Sequence, residues 1–179
     1  MKRLQQLYNE EITKKMREEF KYSNIFETPK LIKISINVGL GRAKENPSII
    51  NKVANDLFLI AGQKPRICRS KKAISGFKLR QGDVIGLSLT LRRKKMYEFL
   101  EKLLKIGLPR VRDFRGVSLE SFDAQNNYCL AIKEHIIFPE ITYERIEDIY
   151  GLQATFHIKA KTKNEAISLL KHFGFPFKK

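Results

Sequence analysis

The sequence predicts one α+β domain over residues 1–179: a mainly antiparallel sheet with helices packed on one face and the other face open and polar. Three observations carry this. Four-residue apolar periods and two-residue apolar periods follow one another along the chain. No internal repeat and no Ser/Pro/Gly-rich linker separates them. With 42% hydrophobic residues, a chain of 179 can bury a sizeable core, which excludes wholesale disorder.

From Lys2 to about Lys21, Leu4, Tyr8, Ile12, Met16 and Phe20 recur every fourth position, one face of an amphipathic helix. After Thr28 and Pro29 the period becomes two. Ile32, Ile34, Ile36 and Val38 are expected inward, with Lys33, Ser35 and Asn37 on the other side. Gly39-Leu40-Gly41 makes a turn, and Asn46-Pro47 reads as cap and first position of a helix carrying Ile50, Val53, Leu57 and Ile60, with Gly62 as its stop.

Arg66 to Ser70 reads as a short strand and Lys71 to Asp83 as a basic loop. Ile85, Leu87, Leu89 and Leu91 alternate with Gly86, Ser88, Thr90 and Arg92, a second clear strand. A helix follows through Met96, Phe99, Leu100, Leu103 and Leu104, closed by Gly107 and Pro109. Tyr128 to Glu134 and Leu152 to Ala160 are further strands. Thr162 and Glu165 form a capping box for a last helix presenting Ile167, Leu170 and Phe173 before Gly174.

If helices cover one face of the sheet, the other carries Lys33, Ser35, Asn37, Ser88, Thr90 and Arg92. Hydrogen-bonding groups beside positive charge are what an RNA-reading surface requires.

The net charge of +16 calls for a polyanion, with nucleic acid ahead of an anionic membrane surface and of a mere solubility surplus. Its distribution decides more. Residues 61–82 carry 7 basic groups and no acidic one, and residues 83–116 carry 9 against 4. Residues 117–153 reverse the sign, 2 against 7, before the last 26 residues return to 6 against 1. Basic regions 1–116 and 154–179 thus suit phosphate, and the acidic segment 117–153 suits a basic protein neighbour.

Catalytic constellations are missing. His135, His157 and His172 have no metal-ligand spacing, and Cys68 and Cys129 form no CxxC, so no metal, cofactor or enzyme activity is expected. Gly39-Leu40-Gly41 meets Lys44 where a dinucleotide loop needs glycine, and no GxxxxGK[ST] occurs. No apolar run is long enough for a bilayer or a signal peptide, and the thiols suit a reducing compartment, so a cytoplasmic location without membrane contact is expected.

GQKP at 62–65, the basic run to Lys72, AISGFKLRQG at 73–82, LTLR at 89–92, PRVRDFRG at 109–116, EHIIFPEI at 134–141 and FPFKK at 175–179 occur in this order. Together they resemble the bacterial type of the large-subunit ribosomal protein family L-five, the 5S rRNA-binding proteins of the central protuberance. The likeness runs from the first helix to the last residue.

That resemblance implies a structural, non-enzymatic role in the ribosome. Lys14, Asn37, Gln63, Thr90 and Arg92 match positions that hold 5S rRNA, and Arg66, Arg69 and Lys71 would extend the phosphate track. The basic loop would contact P-site tRNA through Lys72, Ser75, Gly76, Phe77, Lys78 and Arg80, with Phe77 either stacking on a base or anchoring its loop. The acidic segment would form an intersubunit bridge, Glu134, Glu140, Glu144, Glu147 and Asp148 meeting a basic protein of the small-subunit head. Further partners implied are 23S-type rRNA and other 5S-binding large-subunit proteins. In PRVRDFRG, Arg110, Arg112 and Arg115 suit rRNA while Asp113 suits internal pairing. A free RNA chaperone or regulator using the same face is the other function considered.

Overall fold

The computed structural model describes residues 4–41, 47–141 and 149–178. The Asn46 cap, Lys44, Glu144, Glu147 and Asp148 lie outside these residues.

Five strands form one antiparallel sheet in the order β2-β3-β1-β5-β4: β1 (Lys30–Gly39), β2 (Arg66–Arg69), β3 (Val84–Leu91), β4 (Tyr128–Ile132) and β5 (Leu152–Lys159). The α+β architecture read from the periods is therefore the one found. Register fixes which residues share a face. Ile34 pairs with Leu91 and Phe156, Ile36 with Leu89 and Ala154, and Val38 with Leu87; all are buried. These rows join Val53, Leu57, Met96, Phe99, Leu100, Leu169 and Leu170 from the helices in one core.

β1 departs from the simple alternation. A register shift between Leu31 and Lys33 against β5 turns Leu31 inward, at 5% exposure, and leaves Ile32 at 44%. Ile32 was expected inside. One extra residue in a bulge reverses the faces on its N-terminal side, and a two-residue period read from sequence cannot register that.

The first helix is continuous but not uniform: α1 (Leu4–Leu7), a π turn (Tyr8–Ile12), then α2 (Thr13–Phe20). The cause is at Thr13, whose backbone N–H and side-chain hydroxyl both donate to Tyr8 O, the hydroxyl at 2.7 Å. The extra residue leaves Tyr8 at a junction. Its hydroxyl donates to Pro29 O at 3.0 Å and its ring lies 5.8 Å from Phe173, while Leu4, Ile12 and Met16 reach the core.

α3 (Pro47–Ala61) ends where Gly62 adopts φ +65°, and two lysines of α4 (Arg93–Lys102) complete the stop. Lys102 Nζ donates to Ile60 O and Lys95 Nζ to Gly62 O, both at 2.8 Å. Cations at a helix C-terminus satisfy orphan carbonyls and oppose its dipole. Part of the basic charge thus serves the fold itself.

α5 (Lys163–Phe173) starts as expected, Thr162 Oγ1 accepting from Glu165 N, and ends at Gly174 with φ +98°. Glu165 is buried and accepts from the backbone of Lys161 at 2.8 Å. Beyond it the tail folds back. Phe175 and Phe177 enter an aromatic cluster with Phe122, Tyr128 and Phe156, and residue 117 takes it in: Val117 N donates to Pro176 O and Lys178 N to Val117 O. Gly116, at φ +94°, permits this approach, since a Cβ there would stand 2.9 Å from Pro176 O. The motifs PRVRDFRG and FPFKK are the two sides of one contact.

Candidate nucleic-acid interface

The faces of β1, β3 and β5 turned away from the core carry ordered polar rows. Arg66 pairs with Ser88, Ser88 with Asn37, Asn37 with Gln153, and Gln153 with Ala131, so one line crosses five strands. The next line runs Thr90, Ser35, Thr155, Cys129. A third places Lys33 opposite His157, with Arg92 one residue beyond Leu91, the partner of Ile34.

Asn37, Arg66, Arg92 and Gln153 are exposed, whereas Lys33, Ser35, Ser88, Thr90, Thr155 and His157 are half-buried. Between rows lies an open depression of about 540 Å³ bordered by Asn37, Gly39, Cys68, Gly86 and Gln153. Gly86 pairs with Gly39, and a Cβ at Gly86 would stand 2.5 Å from Val38 O. Missing side chains at these positions make the hollow.

Gln63 sits at the end of the face rather than on a strand. Its Nε2 donates to Thr90 O at 3.2 Å, tying the turn after α3 to β3. Lys14 is exposed on α2. The structure brings Asn37, Arg66, Thr90 and Arg92 to one surface.

The basic loop is braced twice. At its base Ser70 N donates to Asp83 O and Gly82 N to Ser70 O, while Arg69 donates from its guanidinium to Gly82 O at 2.9 Å. Ser70 Oγ reaches Lys72 O, and Asp83 accepts from Arg80 N. At its tip Ile74 and Leu79 exchange both backbone hydrogen bonds around a 3-10 turn at Ser75–Phe77. Positive φ falls on Lys78, at 49°, and not on Gly76. Phe77 is 71% exposed at this tip, and Lys71, Lys72 and Arg80 are exposed elsewhere on the loop.

On the acidic side the roles divide. Glu134 is exposed, but Glu140 is held by an ion pair with Lys102 of α4. Asp123 accepts from the backbones of Gln125 and Asn127 and from Asn127 Nδ2, shaping the turn into β4. Burial opposes its charge, yet those bonds and nearby His157 hold its carboxyl below the usual range. At the mouth of the 136–149 segment His135 and Tyr150 stack with ring centroids 3.8 Å apart. Tyr150 N donates to His135 Nδ1 at 3.4 Å, His135 N donates to Tyr150 O, and the Tyr150 hydroxyl donates to Asp56. Burial, partly offset by Asp56, lowers the imidazole pKa and favours neutral His135.

Two family models cover most of the chain: that described as ribosomal protein L5 matches residues 24–80, and that described as the C-terminus of the ribosomal L5 family matches residues 84–177. The chain belongs to the ribosomal protein L5 family. Relatives in the L5 family match it nearly end to end. The large ribosomal subunit protein uL5c of Gracilaria tenuistipitata var. liui is 52% identical over 174 residues, covering 97% of each chain. The protein uL5 of Geobacter sulfurreducens is 51% identical over 99% of each, and that of Caldanaerobacter subterraneus subsp. tengcongensis is 51% identical over the whole of both.

L5 membership makes this a structural, non-enzymatic protein of the large ribosomal subunit, at home in ribosomes of cytoplasmic type. The sheet takes β1 and β2 from the first matched L5 segment and β3, β4 and β5 from the second. The outward rows also contain Gln153 and Thr155, which reading the sequence did not single out. Their signal was present, since alternate residues of the last strand must share the face of Asn37 once β5 is paired with β1.

Proposed function

We propose that this large-subunit protein binds 5S rRNA with the outward face of its sheet, helping to attach that RNA to the central protuberance beside 23S-type rRNA and other 5S-binding proteins. The observation that carries the reading is the unbroken row Arg66, Ser88, Asn37, Gln153. Asn37 and Gln153 amides both donate and accept, so they suit a base edge or a 2′-hydroxyl, and the glycine-floored depression suits a base splayed out of its stack. Arg66, Arg69, Lys71, Arg92 and Lys14 supply phosphate contacts around them. One domain over residues 1–179 then presents the whole face.

The twice-braced loop is assigned to P-site tRNA. Lys72, Lys78 and Arg80 neutralise phosphate, the backbone at Ser75 and Gly76 comes close, and Phe77 stacks, all indifferent to tRNA sequence. The acidic segment is assigned to an intersubunit bridge with a basic protein of the small-subunit head. Exposed Glu134 would meet that protein together with the acidic residues Glu144, Glu147 and Asp148 of the same segment, while Glu140 is held in its pair with Lys102. Ion pairs at a wet surface are individually weak, about 0–1 kcal/mol, which suits a contact that slides.

A filter-binding titration across salt tests the central assignment. Wild type should bind 5S rRNA more tightly than an unrelated structured RNA, with a steep salt slope, and Asn37→Ala should weaken 5S binding roughly 5- to 150-fold, the loss of about 1–3 kcal/mol from a good amide contact. Equal affinity for both RNAs would overturn it.

A further inference from the structure

At one corner of the outward face three groups with hydrogen to donate converge from three strands. Lys33 on β1 is the register partner of His157 on β5, and Arg92 follows the last residue of β3 beside them. Ser35 Oγ lies 3.1 Å from His157 Nε2. We propose that Lys33, Arg92 and His157 form a subsite for one phosphodiester group of bound RNA. This rests on the reading that the outward face takes RNA, and adds to it a residue and a proton.

The chemistry favours phosphate over a base edge. Lysine and arginine offer donors only, an imidazolium offers two more, and the Ser35 hydroxyl can turn to donate, so the corner is built for an acceptor with several oxygens. No carboxylate closes it from β1 or β3. From the β4 side the facing groups are Asp123, committed to three hydrogen bonds of its own turn, and Cys129, beside Thr155.

His157 is the part that makes the subsite responsive. In the free protein burial and the charges of Lys33 and Arg92 lower its pKa, with Asp123 opposing them. A phosphate seated between those cations cancels their effect and adds attraction for the imidazolium, so binding draws a proton onto the ring. RNA affinity therefore rises as the solution is acidified through the histidine range. His172, whose ring lies 3.1 Å from Glu19 at the helical side, is the internal comparison.

The experiment uses the full chain and a 5S rRNA transcript. Dissociation constants are measured between about pH 5 and 8 at fixed salt and Mg²⁺, for wild type, His157→Gln and His172→Gln, and the imidazole signals are followed by NMR free and bound. Wild type and His172→Gln should tighten toward acid by up to about tenfold per pH unit, the limit for one linked proton, and His157→Gln should lose that slope. The His157 signal of wild type should titrate at higher pH in the complex than free. A His157→Gln slope equal to wild type, or a His157 titration unmoved by RNA, overturns the subsite while leaving the interface standing. Failure of wild type to bind the transcript overturns both.

Discussion

His135 and Tyr150, fifteen residues apart, clamp the two ends of the segment between them: their rings stack at 3.8 Å and their backbones and imidazole exchange hydrogen bonds. The clamp needs a neutral imidazole, because Nδ1 accepts from Tyr150 N. Burial lowers the folded pKa below the ordinary 6.5. Below that value the unfolded chain takes the proton first, so the contribution is complete above about pH 6.5 and declines as pH falls toward the depressed folded value. His135→Phe should keep the stacking and flatten the dependence of melting temperature on pH in this window. An unchanged slope would mean the clamp does not sense the proton.

Glu19 ties α2 to α5 through Ser168 Oγ, at 2.7 and 2.8 Å to its two oxygens, and through His172. The Ser168 bond is the main cause of its lowered pKa, against burial and with help from His172 and Lys171. The stabilisation is therefore present above about pH 4.5 and disappears as pH falls through the lower folded value. Glu19→Gln should narrow the gap between melting temperatures at neutral and acid pH.

Gly86→Ala tests the close approach of β3 to β1. The new Cβ would meet Val38 O at 2.5 Å, a backbone atom that cannot turn aside. A loss of about 1–3 kcal/mol in denaturant unfolding is expected, as for other overpacked sites, together with weaker 5S rRNA binding as the hollow fills. Stability equal to wild type would show that the strands can spread.

Thr162→Ala removes the cap of α5 without touching the sheet. Chemical denaturation should report a loss of about 1 kcal/mol with RNA affinity unchanged. Because Glu165 is buried and accepts from Lys161 N, Glu165→Ala should cost more than Thr162→Ala.

Much of the fold is legible in the chain because alternation and caps are local. Leu87, Leu89 and Leu91 of β3, the inward set of β5, the Thr162 cap and the Gly174 stop follow from neighbours a few positions away, whereas Ile85, first of the alternating apolar residues of β3, is 38% exposed. What escaped depends on distant partners. The bulge that exposes Ile32 exists only in the pairing of β1 with β5, and the π turn at Tyr8 answers to Thr13, Pro29 and Phe173 together. For the candidate interface, residue type marked Asn37 and Thr90, but no local signal tells that Gln63 spends its amide N–H on Thr90 O. Glu140 looked like free surface charge because Lys102 is thirty-eight positions away in sequence.

The strand order carries a timing consequence. β1, near the start of the chain, is the middle strand, and the neighbour on one of its sides is β5, near the end. Until β5 leaves the ribosome that makes it, the nascent chain holds an unpaired central edge and a row that stops at Asn37, without Gln153. A chain interrupted before Leu152 therefore lacks the strand that joins β4 to β1 and the Gln153 end of the polar row. The sheet is therefore complete only once the chain has been made through Lys159.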